Sequence, residues 1–458
     1  MAERFELVEK AILRMVEDKK YATLRDILVT MNPADIAGIF NSLDDKRIPL
    51  MFRLLPKELA AETFVEMETE DQELLIQGFS DNELKEVLDE LYVDDAVDII
   101  EEMPANVVRR ILSQADPEMR QSINQILRYP ENSAGAWMTT EYVSLRPGMT
   151  VEEAILRIRR QGVDKETIYT CYVTKDRKLL GIVTVKDLLL AEDDEMLISD
   201  LMETDLISVT THTDQEEVAR IFSKYDFIAL PVVDTENRMV GIVTVDDAID
   251  VMEEEATEDI ELMGGMLPSE DTYLRSTVWE LFKNRIPWLL FLMLSATFTG
   301  MIINSFEDAL AAQVALTAFI PMLMGTGGNS GSQSSVTIIR ALSLDEVKFA
   351  DLPRVVWKEI RTAVLCGLAL AVVCFIKIWL VDRMLFGNPD ISLMVDAVVC
   401  LAMFVTVLLA KTVGAVLPMV AKVLKLDPAV MASPFITSIV DALSLLVYFL
   451  FATMLLGI

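Results

Sequence analysis

From Ile286 onward the chain is built of apolar runs long enough to cross a bilayer, and nothing else in it limits the fold so strongly. Hydrocarbon about 30 Å thick takes roughly 20 residues of helix. Runs of that order are expected over Ile286–Phe306, Ala309 to about Gln333, Ala363–Val381, Ile391–Leu417 and Pro428–Ile458. Five spans put the two termini on opposite sides. Short loops rich in lysine and arginine stay cytoplasmic. Lys283 and Arg285 precede the first run, Arg340, Lys348, Arg354, Lys358 and Arg361 separate the second from the third, and Lys422 and Lys425 separate the fourth from the fifth; the other two loops hold only Arg383. The expected topology is a multi-pass protein of the inner (plasma) membrane, N-terminus cytoplasmic and C-terminus outside. Lys377 and Lys411 fall within spans, where long side chains snorkel to an interface or cavity, and Asp396 reads as interfacial.

Charge separates this half from the rest. Before Ile286 stand 61 acidic and 30 basic residues, and after it 11 and 10, so nearly all of the net charge of −32 is N-terminal. Such an excess repels phosphate backbones, which argues against nucleic acid and for cations as partners. Four scattered cysteines are too few for a disulfide framework. No nucleophile stands with a paired base, and the lone His212 sits in a polar THTD stretch, so no enzyme is expected.

Residues 1–130 hold short amphipathic helices punctuated by Pro33, Pro49, Pro56, Pro104 and Pro117, with phrases such as LPKELAAETF and MPANVVRRIL. This is the pattern of an all-α superhelical N-domain. In its YVDDAVDII segment, Asp94, Asp95 and Asp98 are either solvated helix acids or a cation site. Residues 131–252 repeat themselves: WMTTEYVSL matches LMETDLISV and LLGIVTVKDLL matches MVGIVTVDDAI, giving two α/β units over 131–200 and 201–252. These resemble paired CBS domains. In that family the Thr-x-x-Asp at a helix start, here Thr184 and Asp187 or Thr244 and Asp247, binds an adenine nucleotide such as ATP; the competing reading is that both residues cap a helix. Residues 253–285 form an acidic, helix-forming connection to the first span.

The second run ends in PMLMGTGGNSGSQSS, where Pro321 and the glycines are expected to open the backbone and expose carbonyls, tolerable at membrane depth only if buried or lining water. Close helix packing is the other use of such glycines. The fifth run carries Asp441 far from either end. A charge there costs about 3 kcal/mol on insertion scales, so Asp441 is the expected ion site. One carboxylate per chain, with Asn329 and carbonyls contacting water, suits Mg²⁺, which keeps most of its water, better than Ca²⁺, which wants a denser cage.

Taken together, the acidic helical N-domain, the CBS pair, the acidic connection, the five spans, GTGGNSGSQ and Asp441 resemble the MgtE family of magnesium channels over essentially the whole chain. The family motif stands here as Pro321, Gly327, Gly328, Asn329, Gly331 and Gln333. The resemblance implies a multi-domain fold: an all-α N-domain, an α/β CBS pair, a plug helix over 253–285 and an α-helical five-span pore domain over 286–458. It implies a homodimer with Asp441 of both copies on the pore axis. It further implies regulatory Mg²⁺ closing the pore through Asp94, Asp95 and Asp98, through Asp226, Asp247 and Asp250, through Glu255, Glu258 and Asp259, and at Asp427. A secondary divalent-cation transporter (Mg²⁺, Co²⁺ or Mn²⁺) coupled to another ion is the alternative.

Overall fold

The computed structural model describes residues 2–269, 273, 276–385 and 392–457. It divides into two compact parts, Met1–Met252 and Glu253–Ile458.

In the first part, ten helices run from Ala2–Glu17 to Pro117–Ile126 among the described residues. The prolines stand where these helices start: Pro33, Pro49 and Pro117 in a first turn, Pro56 and Pro104 as N-caps. A first-turn proline lacks only an N–H that the helix would leave unpaired. Asn32 and Asp116 accept hydrogen bonds from the amides of Ala34 and Met119, and Ser80 with Glu83 forms a capping box, each cap contributing about 1 kcal/mol. Leu24, Leu28, Ile36, Phe40, Phe64 and Ile123 fill the core between successive turns.

Each sequence repeat folds into a three-stranded sheet. Strands β1 (Tyr142–Leu145), β2 (Thr167–Lys175) and β3 (Lys178–Thr184) form one; β4 (Val209–Thr210), β5 (Ala229–Val233) and β6 (Met239–Thr244) form the other. In both, the first strand is parallel to the second and the second antiparallel to the third. The parallel pair requires a crossover, supplied by the helices Val151–Gln161 and Gln215–Tyr225. The sheets exchange partners: Thr139 bridges Ile242, and Glu203 bridges Ile182. That closeness requires the glycine of GIVTV, because a Cβ on Gly181 would stand 2.8 Å from the carbonyl oxygen of Glu203. Buried Val218, Phe222 and Leu230 join the helical domain's core, so the N-domain and the second α/β unit are one packed body.

The helix Val245–Met263 carries the chain into the second part. It stops there: Gly264 follows, Gly265 turns at φ +71°, and a new helix, Val278–Ser305, starts from a Thr277–Glu280 capping box. The single plug helix expected over 253–285 is therefore two helices separated by a break, with 270–272 and 274–275 outside the described residues. Val278–Ser305 buries none of its own residues. It turns Leu290, Met293, Leu294, Phe298 and Met301 outward, as a lipid-facing helix does. Near its base Trp288 occupies the space a Cβ on Gly265 would need, against Pro434.

Four helical segments are long and apolar enough to span a membrane among the described residues: Val278–Ser305, Phe349–Leu385, Leu393–Val423 and Pro428–Leu456. The second expected span differs. After Gln313 the chain makes a 3₁₀ turn, Val314–Phe319, and then an unbroken helix, Ile320–Ser343. At 1.5 Å per residue this helix is about 36 Å long, enough to cross, but its small polar residues lower its hydropathy. They are compatible with a membrane because the helix packs between Leu393–Val423 and Ser433–Leu456, burying Leu323, Gly327, Gly328, Gly331, Ser334 and Ser335. Cys171, Cys366, Cys374 and Cys400 are free thiols.

Candidate ion path and acidic clusters

The helical course of Pro321–Ser335 overturns the expected opened backbone. Pro321 sits in the first turn, where it breaks no hydrogen bond, and the glycines lie within a continuous helix. Their role is close packing. A Cβ on Gly327 would press on Thr406 and Ser444 at 2.7 and 2.8 Å, and one on Gly331 on Ile436 at 2.7 Å. Gly414 of Leu393–Val423 faces the backbone of Gly331 so closely that its added Cβ would overlap that carbonyl group.

Gly328 brings the ion candidate in. Asp441 Oδ1 stands 3.8 Å from where its Cβ would be, with Thr437 beside it, so the Asp441 carboxylate lies over the motif helix. Asp441 is half-buried, whereas Pro321, Gly325, Asn329, Gln333 and Thr337 are exposed. These five recur every four residues and so form a stripe that winds about 160° round the helix, with Asn329 and Gln333 neighbours on it. The stripe carries an amide at Asn329 and another at Gln333, which hydrocarbon does not satisfy.

Two charged groups inside this part turn inward. Lys411 does not reach an interface: it is 5% exposed and donates to Ser334 Oγ at 3.4 Å, while Ser334 donates to Glu359 Oε2 at 2.6 Å. The only sequence signal was a lysine in mid-span. Asp396, in the first turn of Leu393–Val423, is fully buried among its neighbours, with Arg383 Nη1 at 4.0 Å. Lys377 does turn to an acid at a span end, Asp382, at 2.7 Å.

In the first part, the helix Val93–Glu102 brings Asp94, Asp95 and Asp98 towards Asp247. Burial chiefly, then the charges of Asp95, Asp247 and Glu166, holds Asp94 well above the usual carboxylate range. Asp94 Oδ1 is buried without a hydrogen-bond partner. Burial and Asp247 push Asp95 up to about 7 and Asp98 up to about 8. Asp247 is pushed up to about 6 by burial, against the hydrogen bonds from Thr244. Glu166, in the turn before β2, joins at about 8 through burial and the field of Asp95, Asp246 and Asp247. Sequence gave no sign of Glu166, although Asp246 adjoins Asp247. Of the other expected acids here, Asp226 is an exposed C-cap at φ 55° and Asp250 is exposed while adding to the field on Asp247.

In the second part Glu255 is half-buried. Glu258 and Asp259 are raised by burial first and by Asp427 next. Asp259 accepts from Ser343 Oγ at 3.2 Å, and Asp427 N-caps the turn Pro428–Met431. Among the described residues no three or more acids, histidines or cysteines close into a ready metal cage. The donors are nonetheless all oxygen and crowded, and Asp94 Oδ1 lacks a hydrogen-bond partner, which suits an ion that keeps waters and needs one or two carboxylates.

At the nucleotide candidates, Thr184 and Asp187 form a reciprocal capping box at an exposed helix start. Thr244 is buried and donates to Asp247 Oδ2 at 2.5 Å, inside the acidic cluster. The structure therefore leaves the first pair the more open to solvent.

Family models match along the chain: "Divalent cation transporter" over 320–451, "MgtE intracellular N domain" over 31–132 and "CBS domain" over 134–194 and 198–254. The chain is 37% identical to the magnesium transporter MgtE of Thermus thermophilus, covering 94% of this chain and 95% of that protein. It is 33% identical to that of Bacillus subtilis, over 98% and 97%. A crystal structure of the cytosolic domain of the Mg²⁺ channel MgtE in complex with ATP is also similar, at 37% identity and a TM-score of 0.51, over 53% of this chain and 99% of that one.

Proposed function

This chain belongs to the MgtE family of magnesium transporters, and we propose that it is a Mg²⁺-selective channel for uptake, closed by cytosolic Mg²⁺. The observation that carries this reading is the Pro321–Thr337 stripe with Asp441 at its flank. A polar stripe on an otherwise buried membrane helix needs water or a second copy against it. A homodimer with the two stripes facing would enclose an aqueous path and place both Asp441 carboxylates near it. Asn329 and Gln333 would then meet the ion's water shell. The N-terminus would be cytosolic, as the basic loops favour.

Gating rests on the acids. Divalent ions between Asp94, Asp95, Asp98 and Asp247, and between Glu258, Asp259 and Asp427, would relieve like-charge repulsion that burial has already made costly. Asp226, Asp250 and Glu255 extend these sets. The state that binds Mg²⁺ gains from it, and linkage then favours whichever pore state is attached. ATP, bound in the similar cytosolic-domain structure, would take the Thr184 and Asp187 end here.

Patch recordings with controlled internal Mg²⁺ test this. Current should close as internal Mg²⁺ rises and be lost, or lose selectivity, in Asp441→Asn and Asp441→Ala. Unchanged current in both variants removes Asp441 from the path. Unchanged Mg²⁺ inhibition after deletion of the residues before Arg285 removes the gating scheme.

One observation favours the alternative of coupled transport: buried Lys411 is linked through Ser334 to the half-buried Glu359, two ionisable groups in a hydrogen-bonded chain of the kind that relays protons. Mg²⁺ uptake into vesicles accompanied by stoichiometric proton movement, both lost in Lys411→Met, would decide for it.

A further inference from the structure

In a half-chain where acids outnumber bases two to one, six cations gather on one groove. Arg146, Arg157, Arg160, Lys165, Lys175 and Arg177 line a depression of about 1110 Å³ and its smaller continuation beside Tyr142 in the first α/β unit. They come from three places: the loop after β1, the crossover helix Val151–Gln161 with the turn after it, and the β2–β3 hairpin. Among the described residues none of the six makes an ion pair. The two acids that share the groove, Glu153 and Asp176, offset only part of this charge, so cations remain in excess. Glu153 accepts the Thr150 amide in a capping box, and Asp176 is an exposed hairpin-turn residue held at φ 55°. The Nε–H of Arg157 is buried with no acceptor. A buried charged donor left unpaired is destabilising, and like charges converging in excess of their counter-charges repel.

We propose that this groove is a binding site for an anion bearing adjacent phosphate groups, separate from the Thr184 and Asp187 site. Guanidinium groups pair with phosphate oxygens in a planar, bidentate fashion, and four of the six cations are arginines. Two or more phosphates are needed to meet cations spread over three segments. The separation from the nucleotide candidate follows from strand register. Thr184 pairs with Thr170, while Lys178, at the hairpin, pairs with Lys175; five residues of strand put the two ends about 17 Å apart. A ligand here would also touch the junction of the repeats, since the amide of Met239 donates to the carbonyl of Arg177 and that of Leu179 to the carbonyl of Asn237.

Phosphate clusters come free in solution or on lipid headgroups, and the experiment separates the two. The full chain in detergent is titrated with inorganic tripolyphosphate in EDTA by calorimetry. The chain in nanodiscs of phosphatidylglycerol or of phosphatidylcholine is compared by hydrogen exchange at residues 144–177. The variants are Arg160→Gln/Lys175→Gln, both exposed and unpaired, and Arg157→Gln, with melting curves as the folding control. Saturable tripolyphosphate binding, weakened about tenfold or more by Arg160→Gln/Lys175→Gln and unchanged by Asp187→Ala, establishes a site for a soluble polyphosphate. Protection only in phosphatidylglycerol, lost in the same double variant, assigns the groove to a headgroup. Binding in neither arm, binding that survives both arginine variants, or binding abolished by Asp187→Ala alone overturns the proposal.

Discussion

Gly414 and Gly331 meet backbone to backbone, so that a methyl group on Gly414 would overlap the Gly331 carbonyl. Helices approach this closely only where both surfaces lack side chains. Gly414→Ala should therefore push the motif helix off its neighbour and lower stability by about 1–3 kcal/mol, read as a drop in melting temperature in detergent with loss of Mg²⁺ flux. Gly300→Ala is the matched control, since it lies outside the stripe and nothing lies within 4 Å of its added Cβ. Equal effects of the two would show that packing is not what these glycines serve.

Lys411 holds Ser334 from one side while Glu359 holds it from the other. Lys411 is buried and Glu359 half-buried, so Lys411→Met leaves Ser334 and a partly screened carboxylate short of their partner and should cost about 1–3 kcal/mol. Lys411→Met/Glu359→Gln should cost less than the sum of the single changes. Additive losses in unfolding titrations would mean that the two residues do not act as a unit.

The acids at Asp95, Asp98, Glu166 and Asp247 have folded-state pKa values of about 7, about 8, about 8 and about 6, all above their ordinary values. The folded chain thus binds more protons than the unfolded one between those limits. Its stability is full below about pH 4 and falls as pH rises through about 6 to 8. In EDTA the melting midpoint of the first part should drop from about pH 5 to about pH 8.5, and added Mg²⁺ should restore it most at the alkaline end. A midpoint that climbs with pH in EDTA contradicts the buried cluster.

The Thr184 and Asp187 pair is the more open to a ligand, because Thr184 is half-buried and Asp187 exposed whereas Thr244 is buried. Calorimetric titration with ATP should give one site per chain. Asp187→Ala should abolish binding and Asp247→Ala should leave it. A stoichiometry of two would reinstate the second pair.

Much of this architecture was legible as punctuation. Prolines marked helix starts because a first turn tolerates a missing N–H. The GIVTV repeat marked two sheets because its glycine is needed where the sheets exchange strands. Glycines in the motif were ambiguous, since the same residue opens a backbone or admits a neighbouring helix, and only the facing surface of Leu393–Val423 decides. The break between Met263 and Thr277 was hidden by an acidic composition that favours helix throughout. The inward turn of Lys411 was not legible because a charge in an apolar run does not say which way it points. Glu166 was missed because its partners lie far away in sequence.

The first membrane helix, Val278–Ser305, buries nothing of itself in its own chain. At about 42 Å it exceeds hydrocarbon about 30 Å thick, so it accommodates the mismatch by leaning or by pushing charged ends into the headgroups. Its side chains meet the rest of the chain along one side only, Phe291 stacked on Phe435 and Ile302 and Ile303 against the core, which leaves bilayer thickness free to bias the lean. Trp288 near its base rests on Gly265, at the foot of the acidic helix. A thinner or thicker membrane would thus be felt where the glutamates begin, making lipid chain length a variable of this protein alongside its ions.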